Sequence, residues 1–446
     1  MIAAPEKDTA LGDSDERPSR AAWFLLAVLT LAYTVSFIDR QILNLLVQPL
    51  KAQFSLDDTR LSLLQGVAFT TAYIVFSPLF GRAADVASRR NTLMTGIGVW
   101  SLATSACGLA RSYWQLFLAR FAVGGAEASL TPSAWSMIAD SFPARSIPTA
   151  FSIFMMGPYL GGGIALIFGG LLLDASAHWN LDAVPLLGAL KPWQVVFLMV
   201  GAPGMVVALL LTAVREPRRR ESKVVGQQGK MPLREVWRFF VEWRGFYGNF
   251  YIGMPCLIIS LYAYPAWMPA LLMRRFAVSA GQVGLQYGTI VLITGSLGVL
   301  TGPWLARLIE RRGRREALLI VPLGVAFALA LVSLGLGFTH TYASTLAVAT
   351  LASFTYSLPQ ALASSALQIV TPNRMRGLAS AIYVFVVSVV GLGAAPTIVA
   401  LLTDHLFHDE KRVGDALMVT CVGSALIAAF FLWRTLRSYR LMMSRG

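Results

Sequence analysis

Stretches of about twenty apolar residues recur along this chain, near 22–47, 59–80, 91–110, 113–139, 148–172 and 192–214, and again near 247–272, 281–306, 317–338, 341–370, 377–403 and 413–433. A helix rises 1.5 Å per residue, so about 20 such residues cross the ~30 Å of hydrocarbon in a bilayer. Inside lipid there is no water for backbone N–H and C=O groups, and a segment of this length satisfies them by coiling into a helix. The pattern predicts an all-α polytopic membrane protein with twelve transmembrane helices. Charge agrees: 13% of the residues are charged, about half the ~25% usual in soluble domains.

The break at 215–246 is strongly basic and holds Pro217, Gly226 and Gly229, as expected of an exposed linker. The expected organisation is a cytosolic tail (1–21), a six-helix bundle (22–214), the linker (215–246), a second six-helix bundle (247–433) and a closing cytosolic tail (434–446). With the amino terminus inside, the tails and loops on its side hold 27 of the 37 Lys and Arg residues, and the opposite loops hold 8. This asymmetry predicts cytoplasmic termini. Topology and anionic headgroups account for the net charge of +14 without a nucleic-acid partner.

Several other classes are set aside. Met1–Arg20 carries five acids, unlike a signal or transit peptide. Cys107, Cys256 and Cys421 lie in separate apolar segments, with no disulfide or metal-ligand spacing. No phosphate-binding G-x-x-x-x-G-K-[ST] motif occurs, which excludes ATP-driven pumping within this chain. His178, His340, His405 and His408 fall in or beside predicted outer loops, where a solvated residue is the plainest reading.

The halves repeat. Gly81-Arg-Ala-Ala-Asp85-Val-Ala-Ser88-Arg89-Arg90 follows the second apolar segment, and Ala306-Arg-Leu-Ile-Glu310-Arg311-Arg312-Gly313-Arg314-Arg315 follows the eighth. In each, an acid stands four residues before a pair of arginines, at an offset of 225 residues. One half is a degenerate copy of the other.

These features resemble the major facilitator superfamily of secondary transporters, whose signature loop reads G-x-x-x-D-x-x-x-R-R. Ser88 replaces its usual second glycine, and Val86 a usual arginine. The resemblance implies two six-helix bundles working by alternating access. It also implies a conformational gate in which Gly81, Asp85, Arg89 and Arg90, with Glu310, Arg311, Arg314 and Arg315 in the second copy, clasp a neighbouring helix end. Within the superfamily the chain is most similar to the Spinster transporters of lysolipids and sphingoid phosphates. That likeness rests on Ile38-Asp39-Arg40, Leu63-Leu64-Gln65 and Arg120-Phe-Ala-Val-Gly124-Gly125-Ala-Glu127-Ala-Ser129. Organic-anion symporters of the superfamily share the D-R and the R-x-x-x-G-x-x-E-A patterns.

Asp39, Arg40, Arg120 and Glu127 are charges inside apolar spans, and intramembrane charges are costly enough to signal a use. Asp39 lies ~12 Å below the outer end of the first span and Arg120 ~10 Å below the same face in the fourth, so these two are expected to meet. Glu127, two turns along from Arg120, stands ~10 Å deeper, within reach of an extended Arg40. A structural clamp would account for the four charges. The sharper reading is a proton-coupling site: apolar surroundings favour a neutral carboxyl, a nearby arginine favours the carboxylate, and moving that arginine admits a proton. Asp39 is then the switch, Arg120 its gate, and Glu127 a second titrating group or the partner of Arg40.

The seventh to eleventh spans contain no Asp, Glu, Lys or Arg. Their expected contribution to a substrate cavity is neutral: Tyr262, Tyr264, Tyr356, Ser357 and Gln360, beside a kink at Pro359, facing Gln65 of the first half. A cavity charged on one wall and greasy on the other suits an amphipathic substrate. Gly157, Pro158, Gly161 and Gly162 are read as helix-packing residues, similar to a motif of proton antiporters, and tilt the reading toward export. The expected function is proton-coupled transport of a lysophospholipid or sphingoid-phosphate type of substrate by a monomer in a bacterial inner membrane, with no organic cofactor, no metal and no enzymatic activity. The alternatives are a proton- or sodium-coupled organic-anion symporter, and a transport-dead receptor or scramblase on the same fold.

Overall fold

The computed structural model describes residues 18–143, 146–176, 190–219, 233–372 and 375–445. Most of the amino-terminal tail, His178, Gly226 and Gly229 lie outside the described residues, as does the side chain of Asp85. Among the described residues twelve long helical segments follow one another, apart from the short helices Val47–Phe54 and Leu233–Glu242: α1 (Arg20–Asn44), α2 (Asp58–Ala84), α3 (Arg89–Gly108), α4 (Tyr113–Glu127, continued by Leu130–Ser141), α5 (Thr149–Ala175), α6 (Pro192–Ala213), α7 (Arg244–Phe276), α8 (Ala280–Arg311), α9 (Ala317–Phe338), α10 (Tyr342–Val370), α11 (Leu378–Phe407) and α12 (Glu410–Met443). All but α3 and α4 are long and apolar enough to cross a membrane on their own. Asn91, Thr92, Thr95, Ser101 and Thr104 dilute α3, and α4 is interrupted at Ala128 and Ser129. No strand occurs among the described residues.

Hydroxyls start these helices by accepting N–H groups that the first turn cannot pair. Ser19 accepts from Ala22 at 3.1 Å, Ser112 from Gln115 at 3.3 Å and Ser279 from Gln282 at 3.2 Å. The internal repeat is visible in the backbone as well. Pro78 in α2 and Pro303 in α8 stand 225 residues apart, like the two loop motifs that follow them.

Within the first bundle α1 packs on α5, α3 on α6, and α4 on α2 and α3; in the second, α12 packs on α7 and α9. The bundles meet chiefly through α5 against α8 and α2 against α11. Missing side chains allow this approach. A Cβ on Gly284 would stand 2.1 Å from the Leu166 carbonyl, and one on Gly66 would stand 2.6 Å from that of Gly393. At this level α2, α8 and α11 each widen to a π turn, over Leu63–Val67, Val291–Gly295 and Ser388–Ala394. Such widened turns recur at functional positions in helices.

The two faces of the molecule differ. On the face opposite the termini, here the far face, charges and hydroxyls cross between bundles. Asp58 is fully buried and accepts from Arg274 at 2.6 and 2.7 Å and from Lys51 at 2.5 Å, while Lys51 also meets Glu410 at 2.7 Å. Asp404 accepts from both the N–H and the hydroxyl of Thr59 at 2.7 Å, and Ser279 donates to Asp174 at 2.6 Å. On the face carrying the termini, Leu130–Ser141, Ile147–Phe154, Ser296–Arg311, Gln360–Val370 and Arg376–Val387 take their main packing from their own bundles. Among the described residues the charged links between the bundles gather at the far face.

Candidate functional site

Two of the four intramembrane charges pair directly. Arg40 reaches Glu127 Oε2 through Nε at 2.7 Å and Nη2 at 2.6 Å, and Ser36 donates to the same oxygen at 2.7 Å. Ser36 and Arg40 are four residues apart, so one face of α1 presents both donors to α4. Glu127 is shut away completely, whereas the Arg40 side chain keeps 14% of its surface exposed. Its guanidinium lies over Phe37 at 4.7 Å, Phe69 at 4.5 Å and Tyr73 at 5.6 Å, a cation–π platform that spares a buried cation part of its desolvation cost. Glu127 Oε1 has no partner among the described residues.

Asp39 and Arg120 meet differently from the depth argument. Both are buried, but Arg120 Nη1 donates to the backbone carbonyl of Asp39 at 3.1 Å rather than to its carboxylate. The carboxylate turns to α3 and accepts from Thr104 at 3.2 Å, leaving Oδ1 unpartnered among the described residues. Arg120 also reaches the Leu64 carbonyl at 3.4 Å. The π turn explains why that carbonyl is on offer: the Ala68 N–H bonds to Leu63 rather than to Leu64. Arg120 thus ties α4 to the backbones of α1 and α2, and Phe69 lies under it at 5.7 Å as well as under Arg40.

The expected neutral wall is thinner than the sequence implied. Tyr264 is fully buried and donates to Ser333 of α9 at 3.1 Å; Tyr356 packs 6.0 Å from it, with its hydroxyl 3.3 Å from Ser353. Ser357, also fully buried, donates to the Ser353 carbonyl at 2.8 Å. Tyr264 and Tyr356 stand in the core of the second bundle and not on a cavity wall, whereas Ser357 lies where α10 meets Gly295 and Gly298 of α8 and shares a hydrogen bond with Tyr159 of the first bundle. Tyr262 and Gln360 are half-buried; the Tyr262 ring packs against Gly391 of α11. Gln65 is a cross-brace, donating to Asn44 at 3.1 Å and to the Ala266 carbonyl of the other bundle at 3.3 Å.

In the first loop motif, Arg89 is 1% exposed. It bonds Asp140 near the end of α4, Ser136 at 2.8 Å and the Pro217 carbonyl at 2.6 Å, while its N–H donates to Glu216 at 2.8 Å. Ser88, where the signature has glycine, caps α3 and donates to Glu216 at 2.5 Å. Arg90 reaches the carbonyl of Val214 at 3.4 Å, and Gly81 has open space around it. The second copy is not clasped. Glu310, Arg311, Arg314 and Arg315 are exposed, and the acid that forms bonds is Glu316, with Arg440 at 2.6 Å and Arg314 at 4.0 Å.

Gly157 and Gly161 of α5 meet α1: a Cβ on Gly161 would stand 2.3 Å from the Thr34 carbonyl. Pro158 is half-buried beside them, Gly162 has room for a methyl, and it is Gly163 that abuts α8. Sequence reasoning missed the far-face group of Lys51, Asp58, Arg274 and Glu410, along with Asp140 and Glu216. Each lies where a span meets a loop, and a charge there reads as solvated until a partner from a distant segment is in view. Among the described residues no cluster of His, Cys, Asp or Glu is arranged to hold a metal.

Comparison with known proteins agrees with this geometry. Residues 29–396 match the pattern of the Major Facilitator Superfamily. An "MFS-type efflux pump" of Mycolicibacterium smegmatis is 27% identical over 98% of both chains. Human "Protein spinster homolog 1" is 26% identical over 93% of this chain and 80% of its own. The "Sphingosine-1-phosphate transporter SPNS2" of Danio rerio is 27% identical over 65% of this chain and 57% of its own. Among solved structures, a bacterial homolog to the human lysosomal transporter Spinster, in an inward-facing and unoccupied conformation, superposes with a TM-score of 0.77 at 23% identity, covering 96% of this chain and 99% of that one.

Proposed function

The chain belongs to the Major Facilitator Superfamily and is a multi-pass membrane transporter rather than an enzyme, and from that premise we propose that it exports an amphipathic, lipid-like anion in exchange for protons by alternating access. The observation that carries this reading is Arg40: a partly exposed guanidinium on an aromatic platform, held by one carboxylate and facing a bundle whose core carries no charge. A phosphate or carboxylate head group competes with Glu127 for Arg40, since charge-assisted pairs with arginine are strong and directional. Once the head group has left on the outer side, Glu127 and Asp39 are buried acids that protons from that side neutralise. The empty carrier brings those protons inward as it returns, and Glu127, deprotonated there, pairs with Arg40 again until the next head group competes for it. The apolar second bundle accepts the tail. A sphingosine-1-phosphate transporter and an efflux pump among the relatives support a lipid-like substrate and an outward direction. Both termini lie in the cytosol, which makes the terminal face the inward one, and the membrane is the bacterial inner membrane.

Flux in proteoliposomes tests the reading, with an imposed pH gradient, a lysophospholipid or a sugar acid as substrate, and wild type beside Asp39→Asn and Glu127→Gln. Lysophospholipid flux is expected to follow the gradient in wild type and to lose that dependence in at least one variant. Flux indifferent to both the gradient and the substitutions would make the chain a scramblase, and a preference for the sugar acid would make it an organic-anion carrier.

A further inference from the structure

Away from Arg40, a groove of about 780 Å³ opens between α2, α3 and α4. Phe76, Phe80, Val99 and Phe121 make its walls apolar, while Ser88, Asn91, Thr92 and Thr95 run along one side of it. From Asn91 to Val99 it follows eight residues of helix, about 12 Å, and its volume lies in the ~300–1,000 Å³ range of small-ligand sites. None of its lining residues comes from the second bundle, so the groove is built within one rigid half.

Its end at the terminal face is positive. Arg90 donates to Asn91 Oδ1 at 3.3 Å, and Arg219 donates to the Ala87 carbonyl at 2.8 Å; Asn91 and Ala87 are themselves lining residues. Neither arginine has a carboxylate within 4.0 Å among the described residues. Two acids of this face are committed elsewhere: Asp140 pairs with Arg89, and Glu216 is taken by Ser88 and Arg89. Exposed Arg82 adds a third guanidinium one turn before Val86. Apolar depth, a hydroxyl-lined side and the guanidinium groups of Arg90 and Arg219 where α2 ends and α3 begins match one molecule of defined chemistry. We propose that this groove is a binding site for an anionic bilayer phospholipid, with one acyl chain along Phe76, Phe80 and Val99 and the phosphate between Arg90 and Arg219. Basic pockets between transmembrane helices hold anionic headgroups in this manner. The occupant is a resident lipid and not the transported molecule, because the groove shares no lining residue with the Arg40 site and draws all its walls from one bundle.

Native mass spectrometry of the full-length protein, equilibrated with phosphatidylglycerol or phosphatidylcholine, tests this. Wild type is expected to keep one phosphatidylglycerol with roughly thirty-fold preference over phosphatidylcholine, the effect of two interfacial arginines. The Arg90→Gln/Arg219→Gln double variant should lose that preference while still retaining lipid. Thr95→Trp, which fills the groove, should lower retention of both lipids about tenfold, and Val99→Trp serves if that variant does not fold. Equal retention of the two lipids by wild type, or unchanged retention in the filled groove, would overturn the site. So would mole-for-mole displacement of the bound lipid by a lysophospholipid at concentrations that saturate transport, which would make the groove part of the substrate path.

Discussion

The two bundles share an ancestor in sequence and a shape in space, yet they distribute charge in opposite ways. In the first, Arg89 is buried and holds Asp140 and Glu216; its counterpart at the 225-residue offset, Arg314, is 64% exposed and, among the described residues, has Glu316 at 4.0 Å as its carboxylate. The same offset carries Asp140 to Ser365, whose hydroxyl bonds the Ala361 carbonyl of its own helix at 3.0 Å. Where the first copy has an acid the second has a hydroxyl, and the second copy's arginines stand exposed. The helix cores differ in the same sense: α1 and α4 carry four charges, and the equivalent helices α7 and α10 bury the neutral groups Tyr264, Tyr356 and Ser357. A duplicated fold divides labour most simply when one copy keeps the chemistry and the other becomes a neutral surface.

The comparison can be broken hardest at Glu127. Glu127→Ala strands Arg40 in the bundle, and removing one partner of a buried pair costs about 3–5 kcal/mol. Transport in proteoliposomes should fall at least a hundredfold and the melting temperature in detergent should drop. The Arg40→Met/Glu127→Met double variant should recover the melting temperature without recovering flux; recovered flux would reduce the pair to a structural clamp.

Next in size is the clasp. Asp140→Asn should shift the balance between faces by about 2–5 kcal/mol, the cost of truncating one partner of a buried charge pair, read as altered cysteine accessibility at the terminal face. The reciprocal graft, Ser365→Asp, offers Arg314 the missing acid. An exposed pair is worth at most about 1 kcal/mol, so the gain should be several times smaller than the loss.

A third test concerns pH. Burial alone would raise the Glu216 carboxyl, but hydrogen bonds from Ser88 and from the Arg89 backbone and side chain outweigh it and hold it below the ordinary glutamate range. Its contribution is fully present above the unfolded value of about 4.3 and is lost as pH falls through the lowered one. Glu216→Gln should therefore change flux by one constant factor across about pH 5–8, whereas Asp39→Asn should flatten the profile. A profile reshaped by Glu216→Gln would place the titrating group at the clasp. The smallest effect is expected at Glu316→Gln, an exposed pair with Arg440 worth about 0–1 kcal/mol, and thermal unfolding should barely register it.

Much of this was legible in the sequence because lipid leaves few options. Apolar length marked the helices, the 225-residue offset marked the repeat, and two turns of helix between Arg120 and Glu127 brought Glu127 to the level of Arg40. What failed was direction. Equal depth brought Asp39 and Arg120 together, but depth says nothing about which atoms face each other, and a π turn at Leu63–Val67 gave Arg120 a backbone target that periodicity does not encode. Tyr264, Tyr356 and Ser357 looked like cavity residues since a hydroxyl in an apolar span suggests a polar surface. Ser333 and Ser353 take the Tyr264 and Tyr356 hydroxyls inside the bundle, and Ser357 is held between the Ser353 carbonyl and Tyr159; only packing reveals that.

The seam between α5 and α8 has a mechanical meaning. Helices that interlock side chain with side chain settle at a few preferred angles, since ridges of one must leave the grooves of the other before they can turn. Where Gly163 and Gly170 meet Gly284 and Gly288, backbone lies on backbone and there is no ridge to lift. Such a contact behaves as a smooth bearing: the bundles can roll over it while the far-face charges part and the terminal face closes. A single added methyl at Gly284 is a tooth on that bearing, set against the Leu166 carbonyl, and it would jam the roll without touching any charged residue.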